Sequence, residues 1–360
     1  MGNDIAYNPK GKLAPVVKKG EFVFAAAALD HGHIYGMCNG LIEAGAHLKS
    51  VYDPDPAKLK AFQSKFPEVH VASSEEEILN DDAIQLVASA AVPSKRCEFG
   101  MRVMSHGKDY FADKAPFTTL EQLERARAKV AETQRKYAVY YGERVHVESA
   151  ILAGELIEQG EIGRVVQVLG LGPHRLTAFP RPAWFFQKEY YGGILCDIGS
   201  HQIEQFLTFS GAKDATVLQS KVGNYKWIEY PELEDFGDAS LVGDNGASNY
   251  FRVDWLTPDG LRSWSGDSRM TILGTEGYIE IRKNIDIARS TETDHLFLVN
   301  GKGEQYMNPK GKIGFPFFGK LILDCLNRTE HAMTQEHAFK AAELSLKAQE
   351  MALRVQWKEA

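Results

Sequence analysis

Cysteine is scarce in this chain and unpatterned. Cys38, Cys97, Cys196 and Cys325 stand far apart with no C-x-x-C spacing, so neither a zinc knuckle nor a disulfide framework is signalled. Reduced, mostly buried thiols are expected instead. No apolar run of about 18 residues occurs, which excludes a membrane-spanning helix. Basic charge is in deficit, 41 Lys and Arg against 48 Asp and Glu for a formal charge of -7, and there is no long basic run. Nucleic acid and anionic membranes are therefore excluded as main partners. Residues 1–20 carry Lys10, Lys12, Lys18 and Lys19 but no apolar stretch, so they read as neither signal peptide nor anchor. A soluble, cytoplasmic protein is expected. Repeats and low-complexity linkers are also absent.

What is present suits two domains, since 360 residues with 44% apolar content can fill more than one core. The run Glu21 to Leu29 is continuously apolar, as a strand buried on both faces of a parallel sheet would be. Helical and strand-like stretches then alternate as far as Tyr137 to Gly142, which predicts βαβ units and a doubly wound sheet. After Gly211 few helices interrupt the strand-like runs, so a large, mainly antiparallel sheet should follow. The boundaries that result are 20–142 and 143–335, with a C-terminal helix over 336–360.

An open α/β sheet binds ligands off the carboxyl ends of its strands, and its first strand-to-helix turn offers backbone N–H groups to a diphosphate. Here the usual G-x-G-x-x-G is missing, and Ala28-Leu-Asp-His-Gly-His33 stands in its place with one glycine out of register. Asp30 is unfavourable beside a diphosphate unless its carboxylate turns away, whereas His31 or His33 could donate to the phosphates. His31-x-His33 also has metal-ligand spacing, but no third and fourth ligand are signalled, so no metal is expected. Asp53 ends the second strand, where an acid binds the adenosine ribose hydroxyls and repels the extra phosphate of NADP. A helix cap before Pro54 is the other reading of the same residue. The candidate cofactor contacts are thus Ala28, Asp30, His31, Gly32, His33, Asp53, Pro93 and Lys114, with NAD as the cofactor.

The stretch from Tyr191 to Gly211 carries the chemistry. Wound as a helix from about Ile194, it places Leu195, Ile198, Ile203, Phe206 and Leu207 on one arc, with Asp197 and His201 four residues apart on the opposite side. A solvated surface pair would look the same. Gly192-Gly193 permits close approach at the helix entrance, and Gly211 suits its end. Upstream, His174, Arg175 and Trp184-Phe185-Phe186 make a candidate substrate wall, joined by Arg144, Tyr141 and Tyr190. Buried core is the alternative reading of those aromatics.

With these parts in place, the chain resembles the Gfo/Idh/MocA oxidoreductases, the family of glucose-fructose oxidoreductase and inositol 2-dehydrogenase. The likeness rests on Gly107 to Pro116 with its Asp113-Lys114-Ala115-Pro116, on Gly192-Gly193 through Asp197 and His201 to Gly211, and on Gly274-Thr-Glu-Gly-Tyr-Ile-Glu280. It implies an α/β protein with an N-terminal Rossmann domain and a second α+β domain built on an open sheet. It implies catalytic Lys114, Asp197 and His201, a nicotinamide cofactor, sugar or polyol substrates, and homodimers or homotetramers formed through that sheet. Three activities are compatible with it: a dehydrogenase of a pyranose, glycoside or cyclic polyol; a glycosidase that oxidises, eliminates and re-reduces; and a non-catalytic sugar sensor. Net NADH production separates the first two.

Overall fold

The computed structural model describes residues 13–178 and 181–356. By contacts, the described chain divides into two units. One comprises 13–140 with 314–338, and the other 141–313 with 339–356.

The first unit is a doubly wound parallel sheet. Its strands are β1 (Val23–Ala27), β2 (His47–Tyr52), β3 (His70–Val71), β4 (Leu86–Ser89), β5 (Asp109–Asp113) and β6 (Tyr137–Tyr140), in the spatial order 3-2-1-4-5-6 and parallel throughout. Phe24, Ala25 and Ala26 of β1 are fully buried, as the apolar run predicts for a central strand. The reversal of strand order between β1 and β4 opens a crevice at their carboxyl ends, where this topology takes its ligands.

The segment 314–338 belongs to this unit rather than to the domain that follows residue 142. Phe317 and Phe318 of the helix Pro316–Asn327 pack against Phe111, tilted and edge-on, with centroids 5.9 and 6.4 Å away. Gly40 gives Phe318 its seat, since a Cβ there would fall 2.4 Å from the ring. Arg328 adds ion-paired hydrogen bonds to Asp109 at 2.6 and 3.0 Å.

In the second unit nine strands follow: β7 (Val165–Pro173), β8 (Ala215–Asn224), β9 (Phe236–Gly243), β10 (Ser248–Asp254), β11 (Arg269–Gly274), β12 (Gly277–Arg282), β13 (His295–Asn300), β14 (Gly303–Met307) and β15 (Leu353–Gln356). They lie in the order 14-13-12-11-7-10-9-8-15, antiparallel except for the pairs β7/β10 and β8/β15. Three of them, β9, β14 and β15, escape a sequence reading, and for β9 and β15 the structure gives the physical reason. In β9, Gly237 weakens strand propensity but is needed, because a Cβ there would meet Ile194 Cγ2 at 2.7 Å. In β15, the terminal helix expected to run through Gln356 stops at Met351 and the chain pairs with β8 instead.

One face of this sheet is covered by the helices Glu148–Glu158 and Gly199–Ser210. The opposite face exposes Leu169, Tyr250, Leu273, Tyr278 and Tyr306. Cross-strand register puts Leu169 opposite Tyr250, and Leu273 opposite Tyr278.

Candidate active site residues

In the nucleotide-binding unit the turn after β1 departs from the glycine-rich pattern and reaches the same kind of geometry by other means. Ala28 takes the left-handed conformation, φ 56°, that a glycine would adopt at no cost. Its N–H donates to Tyr52 O at 3.2 Å and its carbonyl accepts from Ala90 N at 3.2 Å, so the turn hangs from the ends of β2 and β4. Asp30 is turned away from the helix entrance: its carboxylate accepts from Lys58 Nζ at 2.7 Å and from Val92 N at 3.2 Å. Gly32 enters the helix His33–Glu43 without a side-chain cap, and space is open where its Cβ would be. The first N–H groups of this helix are held locally, His33 N by His31 Nδ1 at 3.4 Å, Ile34 N by His31 O at 3.3 Å and Tyr35 N by Gly32 O at 3.3 Å, at the crevice where this topology takes a diphosphate.

Asp53 is not the helix cap. That role falls to Asp55, which accepts from Ala57 N at 2.8 Å, while Asp53 accepts from Leu29 N at 2.7 Å and from Asp55 N at 2.9 Å. Its carboxylate is thus fixed at the end of β2, with Lys58 Nζ 3.7 Å away. Pro93 is buried at the start of the helix Pro93–Ser105.

Asp113, the last residue of β5, is fully buried and brings together groups far apart in sequence. One oxygen lies 2.8 Å from His33 Nδ1 and accepts from Lys114 N, also at 2.8 Å; the other lies 3.1 Å from His31 Nδ1 and accepts from Arg96 Nη2 at 3.0 Å. Burial alone would raise the Asp113 pKa, but the adjoining His33 and Arg96 hold it well below the usual carboxylate range. Burial, reinforced by His33, lowers the His31 imidazole to about 4 against the pull of Asp113. Both histidines expected to face a diphosphate therefore turn Nδ1 towards Asp113. Lys114 follows on the chain, nearly buried, and its peptide to Ala115 is cis.

In the sheet unit, the helix expected from Ile194 is two segments, Ile194–Asp197 and Gly199–Ser210, joined through a tight turn in which His201 N donates to Ile198 O at 3.1 Å. Asp197 and His201 are both buried, 7% and 3% exposed, which removes the reading of a solvated surface pair. At Gly170 and Gly172 of β7 a Cβ would fall 2.1 and 3.1 Å from the Gln202 side-chain amide, so glycine at these positions leaves room for Gln202 to lie against the strand.

The close approach allowed by Gly193, φ 96°, is made by a side chain: Gln349 sits where a Cβ would be, 2.3 Å from its amide carbon. Gln349 Oε1 accepts from Leu195 N at 3.0 Å and Glu234 Oε2 from Ile194 N at 3.0 Å, satisfying the first N–H groups of the helix.

Residues that sequence reasoning missed lie around this helix. Glu143 Oε2 accepts from Lys283 Nζ at 3.1 Å and Gln202 Nε2 at 3.2 Å, and Lys283 also donates to Gln205 Oε1 at 2.6 Å. Gln205 in turn donates to the His201 carbonyl at 2.8 Å. Burial would raise the Glu143 pKa, yet Lys283, with His201 and His174, holds it far below the carboxylate range. The one signal available was Lys283 itself, a cation just past the end of β12, the strand that closes the Gly274 to Glu280 hairpin.

The expected substrate wall separates. His174 Nε2 lies 3.8 Å from Glu143 Oε1 and its ring meets Trp255 edge-on, which joins it to the polar cluster. Arg175 instead donates to the carbonyls of Pro258, Leu261 and Trp264, bracing that loop. Arg144 is bound to Glu204 at 2.5 and 2.7 Å. Trp184 and Tyr190 are partly exposed in the segment before the helix, and the Tyr141 ring stands 6.3 Å from that of His201.

Known proteins share this organisation. The profile of the oxidoreductase family with an NAD-binding Rossmann fold matches residues 28–141, and that of the GFO/IDH/MocA C-terminal domain matches 151–280. A protein of Erwinia carotovora atroseptica SCRI1043, classed as an oxidoreductase, has a crystal structure that superposes with a TM-score of 0.90 at 54% identity, over 93% of this chain and 100% of that one. The scyllo-inositol 2-dehydrogenase (NAD(+)) of Bacillus subtilis is 25% identical over 267 residues, 73% of this chain and 72% of that protein. An uncharacterized oxidoreductase of Schizosaccharomyces pombe is 27% identical, but the match spans only 46% of its length. Levoglucosan dehydrogenase in complex with NADH and levoglucosan, 17% identical, shares the fold with a TM-score of 0.75 over 92% of this chain and 96% of that one. A 3-ketoreductase of Actinomadura kijaniata in complex with NADP and TDP-benzene, 14% identical, does so with a TM-score of 0.75 over 94% and 99%. With both profiles matched in order along one chain, the protein belongs to the Gfo/Idh/MocA family of nicotinamide-dependent oxidoreductases.

Proposed function

We propose that the protein is an NAD-dependent dehydrogenase that oxidises a ring hydroxyl of a pyranose, glycoside or cyclic polyol. The observation that carries this reading is the burial of both Asp197, at the end of one short helical segment, and His201, near the start of the next, within a unit where Glu143, Lys283, Gln202 and Gln205 are hydrogen-bonded to one another and to the His201 carbonyl. Fixed polar groups that hold one another in place can present their remaining donors and acceptors to a polyhydroxylated ligand. The inositol dehydrogenase relative supports the same substrate class.

The nicotinamide, when bound, supplies the hydride acceptor. The backbone of residues 28–33 and the Asp53 carboxylate would hold the dinucleotide. His201 takes the hydroxyl proton, a role that an imidazole fills because its ordinary pKa lies near neutrality. Asp197 orients His201 or holds a neighbouring ring hydroxyl, and the Lys114 ammonium favours the developing alkoxide. His174, Trp184 and Tyr190 contact the sugar ring. Asp53 favours NAD through the ribose hydroxyls, although Lys58 at 3.7 Å softens its repulsion of a 2′-phosphate. The exposed apolar sheet face of Leu169, Tyr250, Leu273 and Tyr278 supports a homodimer or homotetramer formed there.

The test is a screen of pyranoses, glycosides and cyclic polyols with NAD, following NADH absorbance and aglycone release in parallel. Stoichiometric NADH without aglycone release is expected. Aglycone release with no net NADH would replace the dehydrogenase by a redox-neutral glycosidase, and silence in both channels with NAD bound would leave a sensor.

A further inference from the structure

We propose that His31, His33 and Asp113 form a binding site for a transition-metal dication, zinc being the ion their chemistry suits best. The two imidazoles and the carboxylate come from opposite sides of one crevice. His31 and His33 flank the start of the helix after β1, Asp113 ends β5, and the intervening β4 is followed by the small residues Ala90 and Ala91, which let the two sides meet. Each histidine addresses its own carboxylate oxygen, at 3.1 and 2.8 Å, and one ligand atom from each of the three residues lies within 4.8 Å of the others. Donors bound at about 2.0–2.2 Å to a tetrahedral zinc stand somewhat over 3 Å apart, and the present separations, 2.8 and 3.1 Å from imidazole to carboxylate and at most 4.8 Å between any two ligand atoms, are close to that.

The donor set selects among ions. Two imidazole nitrogens and one carboxylate match the three-ligand zinc sites that keep a fourth position open, whereas calcium and magnesium prefer oxygens alone. Entry is available: the His31 and His33 side chains are 28% and 33% exposed, while Asp113 is buried. The carboxylate is also oriented from behind. Arg96 Nη2 donates to Asp113, and the same guanidinium donates to the carbonyls of Ala91 at 2.7 Å and Ala115 at 3.0 Å, so it is fixed in place. Carboxylates that ligate metals are held in this way.

Arg96 also sets a limit. Its charge beside Asp113 opposes a dication, which places the expected affinity in the micromolar rather than the nanomolar range. A neutral imidazole that binds a metal through Nδ1 carries its ring proton on Nε2, so binding shifts the tautomer and releases no proton from the ring, and Asp113 is already ionised. All four residues, His31, His33, Arg96 and Asp113, lie within the nucleotide-binding unit, so the site is independent of the substrate.

The experiment is calorimetric titration of the full-length protein with zinc chloride, together with cobalt(II) titration read by visible absorption and X-ray absorption of the zinc-loaded protein. One site per chain is expected, with the intense visible bands of four-coordinate cobalt and scattering from two imidazoles. His31→Ala and His33→Ala should each weaken zinc at least tenfold, whereas His70→Ala, a surface control outside the crevice, should leave it unchanged. Absence of saturable binding, zinc affinity unaltered in both crevice variants, or a zinc environment with fewer than two imidazoles would each overturn the site. The spectra are taken on the unmodified protein, so a variant that fails to fold does not remove the test. NAD binding measured on the same samples keeps failure of the metal site distinct from failure of the dehydrogenase reading.

Discussion

Replacing Glu143 by Gln removes one charge and almost no volume from a buried cluster. Lys283 is 4% exposed and donates to Glu143 at 3.1 Å and to Gln205 at 2.6 Å, so in the variant its ammonium stays buried with one neutral acceptor kept and its counter-charge gone. Breaking a buried pair from one side costs about 3–5 kcal/mol, and because the new amide can still accept a hydrogen bond, the lower end, about 3 kcal/mol, is expected. At about 2–4 °C per kcal/mol for units of this size, the melting midpoint should fall by about 6–12 °C. Among the described residues the tryptophans, Trp184, Trp227, Trp255 and Trp264, all lie in the sheet unit, so their fluorescence reports on that unit.

The effect has a pH signature. The folded pKa of Glu143 is depressed below its unfolded value, so the unfolded chain binds more protons in that window. The stabilisation is then complete above the ordinary glutamate pKa of about 4.3 and lost as pH falls towards the folded value. The gap between wild type and Glu143→Gln should be constant near neutrality and close below about pH 4. Adding Lys283→Met to Glu143→Gln should recover part of the loss, with a coupling of at least about 1.5 kcal/mol. Additive single effects, or a Glu143→Gln midpoint within a degree of wild type at neutral pH, would refute the charge pairing.

Other outcomes follow from the same structure. His201→Ala and Lys114→Ala should each lower kcat by about a hundredfold or more while NAD still binds; near-normal turnover would remove their assignment. Asp53→Ser should weaken NAD and narrow its gap to NADP, a wild-type preference of about tenfold or more being expected; unchanged affinities by calorimetry would move the ribose elsewhere. His174→Ala should raise KM, whereas Arg175→Ala should act on the loop it braces and show as faster proteolytic cutting near residues 258–264. Leu273→Glu with Tyr278→Lys should shift the mass measured by light scattering to that of the monomer, and an unaltered mass would place any self-association on another surface.

The parallel sheet was legible because β1 and β4 are short apolar runs separated by helical patterns, and Asp53 because it stands where one strand ends. Asp197 and His201 were singled out by a four-residue spacing, but neither the break at Ile198 that divides them between two helical segments nor their burial was legible, since both depend on how the segments pack in three dimensions. Asp113 as the common partner of His31 and His33 was invisible for a similar reason: the contact joins residues 80 positions apart and exists only because β4 lies between β1 and β5. The capping of Ile194 and Leu195 by Glu234 and Gln349 follows no local pattern, as neither acceptor is near the helix in sequence.

The placement of 314–338 with the first sheet bears on how the protein is made. As the chain leaves the ribosome, residues 13–140 emerge with Phe111 still lacking the rings of Phe317 and Phe318, and with Asp109 lacking Arg328. The whole of 141–313 must be translated before those partners appear. During that interval the nascent nucleotide-binding unit presents an open apolar seat, a surface of the kind chaperones bind, and a fragment ending at residue 140 would be born with that seat permanently open.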